Sequence, residues 1–387
     1  MKNIKKLSGL LSLSVVMLIS SCTQPTQKLT LSGLDPANFV DTIKGKATAL
    51  YSLKNKNGME VCITNFGARI VSIMVPDKNN KLQDVVLGFD SIGSYINVPS
   101  DFGAIIGRYA NRINKGQIIV DGKKIQLPIN NFGHCLHGGP KGWQYKVFKA
   151  NLINQQTLQL SLISPNGDMN FPGKVTAIVT YKLMDDNILD IKYKATTDKE
   201  TVINMTNHSY FNLNGNPTIP ITNDTLLINA DKFTPVDSTF MTTGEIASVF
   251  DTPMDFMTPQ TIGARIETKG NVQLQNGHGY DHNWILNAQG DISRIAARLI
   301  SPVTGIILEV FTDQPGLQVY TGNFLDGTKT GKKGIKYQKH AAVCLETQVY
   351  PDSPNKFIKG VRNWPSPYLK PGQVYSHETL FRFSVEK

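Results

Sequence analysis

Residues 60–75 read E-V-C-I-T-N-F-G-A-R-I-V-S-I-M-V. The run is rich in β-branched side chains and roughly alternates, which suits extended chain rather than helix. Asn57-Gly58 stands just before it. That dipeptide favours a two-residue hairpin turn, because both of its central positions need a positive φ. The same grammar repeats outward along the chain. Asp121-Gly122 separates two apolar arms within 118–127, and Asn166-Gly167 and Asp185-Asp186 punctuate strand-like runs at 158–163, 175–183 and 188–196. Further runs lie at 226–228, 306–311, 317–320 and 341–345. Helical periodicity is scarce: residues 259–267 could form one short helix, and little else could. Many short strands joined by Gly, Asn and Asp turns predict an all-β fold, one large antiparallel β-sandwich. No linker, composition shift or short repeat divides residues 29–387, so one sandwich domain is expected there.

Composition narrows the function classes. Of 387 residues, 40% are hydrophobic and 18% charged, which fits neither a disordered chain nor a polytopic membrane protein. The formal charge is +10, but Lys2, Lys5 and Lys6 lie in the N-terminal segment, and from Cys22 onward 37 basic residues face 30 acidic ones. The basic residues are scattered, with no run of five, so nucleic acid is not an expected partner. The cysteines are Cys22, Cys62, Cys135 and Cys344. None forms a C-x-x-C pair, so no zinc site is expected. Cys62 and Cys344 sit in apolar strand-like runs and read as buried thiols.

The N-terminus reads as an export signal. Residues 1–6 are basic and 7–20 apolar. Fourteen residues are short of the roughly 20 needed to span a bilayer. Ile19-Ser20-Ser21-Cys22 resembles the lipobox of bacterial lipoproteins. The resemblance implies a signal peptide over 1–21, a lipid on Cys22, and a tether over 22–28. It also implies attachment to a membrane of the cell envelope, on the periplasmic or cell-surface side.

Polar side chains cluster at five places. Residues 204–213, N-M-T-N-H-S-Y-F-N-L, gather one imidazole, His208, with three asparagines and two aromatics. The mix suits a concave site with an apolar floor and converging donors and acceptors. The others are G-R-Y-A-N-R-I at 107–113, H-C-L-H-G-G at 134–139, G-Y-D-H-N-W at 279–284 and L-E-T-Q-V-Y-P at 345–351. Each has an ordinary alternative: Arg108 or Arg112 in a structural ion pair, His137 in a turn. Glu346 is less ordinary, since a carboxylate in a strand-like run must face solvent, pair with a cation or do chemistry. His134, His137, His208, Asp281, His282 and Glu346 could in principle assemble a metal centre. No H-E-x-x-H or similar spacing supports one, and no nucleotide loop or G-x-S-x-G elbow is present. Neither a metal nor a cofactor is expected.

These motifs, with Q-P-G-L-Q-V-Y-T-G-N-F at 314–324 and in this order, resemble the aldose 1-epimerase (galactose mutarotase) family over about residues 47–383. The resemblance implies a large antiparallel β-sandwich and interconversion of the α and β anomers of free sugars such as glucose and galactose. It implies that His208 is the general acid and Glu346 the general base. Asn111, Arg112, His137 and Asp281 would hold sugar hydroxyls, and Gln314 would be a further pocket residue. Opening a hemiacetal needs a proton delivered to the ring oxygen and another taken from the anomeric hydroxyl. An acid and a base on opposite sides of the sugar are therefore expected. Tyr210, Phe211, Tyr280 and Trp284 could offer flat faces to the pyranose. Three rival readings share the scaffold: a sugar-binding protein without turnover, an epimerase of phosphorylated hexoses, and a glycoside hydrolase using Asp281 and Glu346.

Overall fold

The computed structural model describes residues 29–386. Cys22 and the signal and tether expected over 1–28 lie outside them. The alternation expected of strands appears as burial. In Val175–Leu183 every second side chain is buried, and those between are more exposed. This strand pairs along its length with Thr157–Ser164 and Ile188–Thr197. All three belong to a nine-stranded antiparallel sheet. Its order continues through Tyr375–Val385, Ile306–Thr312, Ile295–Ile300 and Thr225–Ile228. The last long strand of the chain thus sits mid-sheet and joins strands from both halves of the sequence.

Two smaller antiparallel sheets pack with it. One runs Tyr210–Phe211, Val343–Gln348, Gly316–Tyr320, Asp281–Ile285, Lys232–Thr234 and Ala247–Ser248. The other runs Leu50–Lys54, Glu60–Thr64, Arg69–Pro76 and Leu82–Asp84. Ile63, Ile70, Val179, Leu317, Leu345 and Phe383 from the three sheets meet in one hydrophobic cluster. The result is the layered, mostly antiparallel β-architecture that the turn spacing predicts. Residues 60–75 read as almost continuously apolar because both faces of their strands are covered. Val61, Ile63 and Ile70 face the main cluster, while Cys62 and Val71 face a second one.

The turns follow their chemistry. Gly58 has φ 82°, and Asp121 and Gly122 have φ 48° and 70°, the pair of positive values a type I′ hairpin requires. Within residues 259–267 a helix forms at Gly263–Ile266. Three further helices, Ile92–Asn97, Val272–Gly277 and Ser353–Ile358, were not expected. Each has six residues, under two turns, too few to display a 3.6-residue period. The run at 341–345 is displaced too: its strand is Val343–Gln348.

Gly103 ties the four-stranded sheet to the strand that carries His208. Its N–H donates to the His208 carbonyl at 2.9 Å, and its own carbonyl accepts from Ile70 N–H and the Asn207 side chain, both at 2.9 Å. Its φ is +66°, and a Cβ there would stand 1.8 Å from the Ile70 carbonyl oxygen. Gly103→Ala therefore combines left-handed strain with a backbone overlap. We expect a stability loss of about 2–4 kcal/mol, read as a lowered midpoint in urea unfolding. An unchanged midpoint would contradict this account of the junction.

Candidate active site

The strand Val343–Gln348 shows how the chain places a carboxylate in a buried run. Period-two alternation sends Val343 and Leu345 into the main core and Glu346 to the other face. On the neighbouring strand Gln318 lies directly opposite Glu346, and on the next Asp281 lies opposite Tyr320. Glu346, Gln318, Tyr320 and Asp281 line one cavity, while Leu317, Val319 and Trp284 of the same strands pack in the core.

The opposite wall comes from three short segments. Thr206–His208 pairs with Ala104–Ile106 and delivers His208. Arg112–Ile113 pairs with Cys135–Leu136, and Asn111 and His137 flank that pair with φ 65° and 53°. The two lock each other: Asn111 N–H donates to His137 Nδ1 and His137 N–H to the Asn111 carbonyl, both at 3.2 Å. Arg112 is held by Asn131 Oδ1 at 3.0 Å, lies 4.7 Å from the Phe240 ring centre, and reaches Asp281 at 4.0 Å. Gln318 donates to Asp281 at 2.6 Å.

The cavity measures about 410 Å³, within the usual range for a small-molecule site. At its wall His208 Nε2 lies 3.5 Å from Glu346 Oε1, and both side chains are buried. Burial pushes Glu346 well above the usual carboxylate range; Asp281 and Asp101 add to this and Arg112 opposes it. Burial lowers His208, against the pull of Asp101. His137 is driven down to about 3 by burial and is neutral. Burial raises Asp281, against Arg112 and Gln318. Each charged form is disfavoured alone, so the arrangement favours one proton shared by the adjacent pair, as imidazolium–carboxylate or as imidazole–carboxylic acid.

Six of the seven residues expected at a sugar site line this cavity: Asn111, Arg112, His137, His208, Asp281 and Glu346. Gln314 does not. It lies in the turn before Gly316–Tyr320, beyond the pairing of Gly316 with Gln348, and its side chain reaches only Asp313 at 3.5 Å. Gln318, four residues on and inside the strand, occupies the cavity instead. His208 and Glu346, expected on opposite sides of a sugar, stand side by side. Of the four aromatics, Tyr210 lines the cavity and stacks on His208 with ring centres 5.0 Å apart, whereas Phe211, Tyr280 and Trp284 are core. The asparagines of residues 204–213 are staples. Asn204 holds Ala110 and Val349, Asn207 holds Gly103 and Ser209, and Asn212 holds Ile219 and Ala341. Arg108 is buried among the carbonyls of Pro172, Gly173, Ser164 and Pro165. His134 bonds Thr239 and Lys115, and His282 accepts from Asp281 N–H.

Two triplets bring possible metal-ligating atoms within 4.8 Å of one another: Asp101, His137 and His208, and His208, Cys344 and Glu346. Neither set suits a cation. His137 Nδ1 accepts a hydrogen bond, so its Nε2 carries the proton and has no lone pair to give. Cys344 is buried among apolar side chains, and burial holds its thiol well above its usual value, so ionising it for a cation would be costly there.

The sequence and the fold have relatives. The family model for aldose 1-epimerase matches residues 49–382, most of the chain. The chain belongs to the aldose 1-epimerase family. It is 40% identical over 349 residues to the galactose mutarotase of Bos taurus, covering 90% of this chain and 98% of that one. It is 36% identical over 345 residues to the aldose 1-epimerase of Escherichia coli K12, covering 88% and 97%. Among solved structures, an aldose epimerase homologue from C. elegans superposes with a TM-score of 0.81 at 32% identity, covering 88% of this chain and all of that one. Galactose 1-epimerase from Lactobacillus acidophilus gives 0.78 at 26%, covering 90% and 97%. The epimerase scaffold therefore extends over the whole sandwich, including every strand that carries a cavity residue.

The pairing of Gln318 with Asp281 suggests a measurable effect on binding. Gln318→Ala leaves a raised carboxyl without its donor and the cavity without an amide. We expect KM for the sugar to rise about 10-fold with kcat within a few-fold, and Gln314→Ala to change neither. Equal effects of the two substitutions would contradict the placement.

Proposed function

We propose that this protein interconverts the α and β anomers of free hexoses such as glucose and galactose, with His208 and Glu346 moving the protons. The observation that carries the reading is the 3.5 Å contact of the two groups at the wall of a sugar-sized cavity. The ring oxygen and the anomeric hydroxyl hang from one carbon, so two adjacent groups can address both along one edge of the sugar. From imidazolium–carboxylate, His208 protonates the ring oxygen as Glu346 takes the hydroxyl proton. The C1–O5 bond breaks and its electron pair becomes the ring-oxygen lone pair. The hydroxyl's O–H pair becomes the second bond of the aldehyde. The pair is left as imidazole–carboxylic acid, its other one-proton form. Rotation about C1–C2 presents the other face of the aldehyde, and the reverse transfers close the ring. Both proton arrangements are thus used in each turnover, which fits the opposed shifts of the two groups.

Arg112, Asn111, His137 and Asp281 supply donors and acceptors for the sugar hydroxyls. Tyr210, Tyr320, Phe132 and Phe324 supply apolar surface. Asp281 is held by Arg112 and Gln318, which favours hydroxyl binding over a second carboxylate role in glycoside cleavage. The test is polarimetry of freshly dissolved α-glucose, α-galactose and xylose with protein lacking residues 1–22, beside an aryl β-galactoside. Accelerated relaxation of a free sugar with no aryl release is expected; aryl release or mere binding would support a rival. A bell-shaped pH profile is also expected, because the doubly protonated pair lacks a base and the unprotonated pair lacks an acid. A profile flat from pH 5 to 9 would count against it.

We further propose that the mature chain begins at a lipidated Cys22 and works at the cell envelope. The support is the signal-like segment and I-S-S-C. Labelled palmitate is expected to enter the full-length chain and to be lost in Cys22→Ala; label in both would contradict this.

A further inference from the structure

We propose that Asp101 is a positioning residue for the proton relay, its carboxylate holding the shared proton on the His208–Glu346 pair at neutral pH. The proposal rests on reading that pair as acid and base. Asp101 belongs to none of the polar motifs; it lies in the loop before Gly103, which is bonded to the His208 carbonyl. It lines the cavity and also a smaller adjoining one of about 150 Å³. A carboxylate oxygen of Asp101 and ring nitrogens of His137 and His208 all lie within 4.8 Å of one another. Its Oδ1 is buried and has no hydrogen-bond partner. Among the described residues its side chain forms no ion pair.

The charges around His208 leave Asp101 a distinct place. Asp281 is matched by Arg112. His137 is neutral, and burial keeps the Tyr210 phenol and Cys344 thiol protonated. Ala104–Ile106, the partner strand, brings no titratable group. Arg69 and Arg112 are positive and oppose protonation of the pair, Arg69 acting on His208 directly. Against them stands Asp101, the carboxylate beside the imidazole that no ion pair holds; it also favours the charge on Arg69, and Lys329 lines both cavities with it, yet its own charge favours the proton on both His208 and Glu346. His137 Nδ1 accepts from Asn111 N–H, so the proton of its neutral ring sits on Nε2, in an imidazole within 4.8 Å of the Asp101 carboxylate.

The sign follows. Removing the charge makes both protonations of the pair less favourable, so both limbs of the pH–kcat profile move to lower pH. A neighbouring charge at this range shifts a titration by about one unit or more. Asp101→Asn is therefore expected to displace the whole bell acidward by about one unit. On the alkaline limb kcat should fall roughly tenfold, while the optimum stays within a few-fold of wild type. Asp101→Glu should keep the wild-type profile, and the His208 ring resonance should titrate at lower pH in Asp101→Asn. Asp101→Ser gives a second neutral variant should the amide fold poorly. A bell that superposes on wild type, or one lowered equally at every pH, would overturn the proposal. If His208→Asn and Glu346→Gln remain inactive while Asp101→Asn shifts nothing, the relay stands and this inference fails. If those two variants stay active, the relay itself fails.

Discussion

Glu346→Gln is expected to lower kcat for α-to-β conversion by about 10²–10⁴-fold, the usual contribution of a positioned proton acceptor. The amide nearly reproduces the carboxylate's shape, so KM should change little. The fold should not suffer either. Glu346 is buried, one of its oxygens has no hydrogen-bond partner, and burial and two nearby carboxylates raise its charging cost. Replacing it with a neutral group of the same size should leave the melting temperature unchanged or raise it. Activity lost with stability kept or gained identifies a residue retained for chemistry. A variant that unfolds, or one that turns over near the wild-type rate, contradicts that assignment.

His208→Asn is the second large effect. It removes the proposed donor to the ring oxygen and the surface that stacks on Tyr210. We expect kcat to fall by a similar 10²–10⁴-fold. Some stability should be lost as well, about 1–2 kcal/mol, because a buried ring is replaced by a smaller group. The residual activity should lose its alkaline limb, since the acid that defines it is gone. Residual activity that keeps both limbs would place the acid elsewhere.

The residues that settle the fold were largely readable. Asp121-Gly122 makes the two-residue hairpin its chemistry demands, whereas Asn57-Gly58 sits in a five-residue turn after Lys54 with only Gly58 at positive φ, and Val175–Leu183 alternates in burial as its sequence alternates in polarity. The six-residue helices were not readable, because fewer than two turns carry no period. Within the site, Glu346 stood out because a carboxylate in a strand-like run needs a reason, and His208 because its imidazole sits among asparagines and aromatics. Gln318 was hidden beside Gln314 in one motif. Only the register that sets Gln318 against Glu346 separates them. The asparagines of 204–213 looked like ligand contacts but staple backbone, since sequence cannot say whether an amide faces a cavity or a carbonyl. Asp101 carried no signal at all: its position depends on how the loop before Gly103 folds toward His208. Proximity is likewise a tertiary fact, and so the acid and base expected on opposite sides lie together.

The most direct test of the shared relay is a double-mutant cycle in polarimetric kcat with wild type, His208→Asn, Glu346→Gln and the double variant. Groups that pass one proton pair along one sugar edge act as a unit, so the double variant should be no more than about tenfold slower than the worse single. Losses that multiply across the two substitutions would mean that His208 and Glu346 work independently, and the relay as described would be wrong.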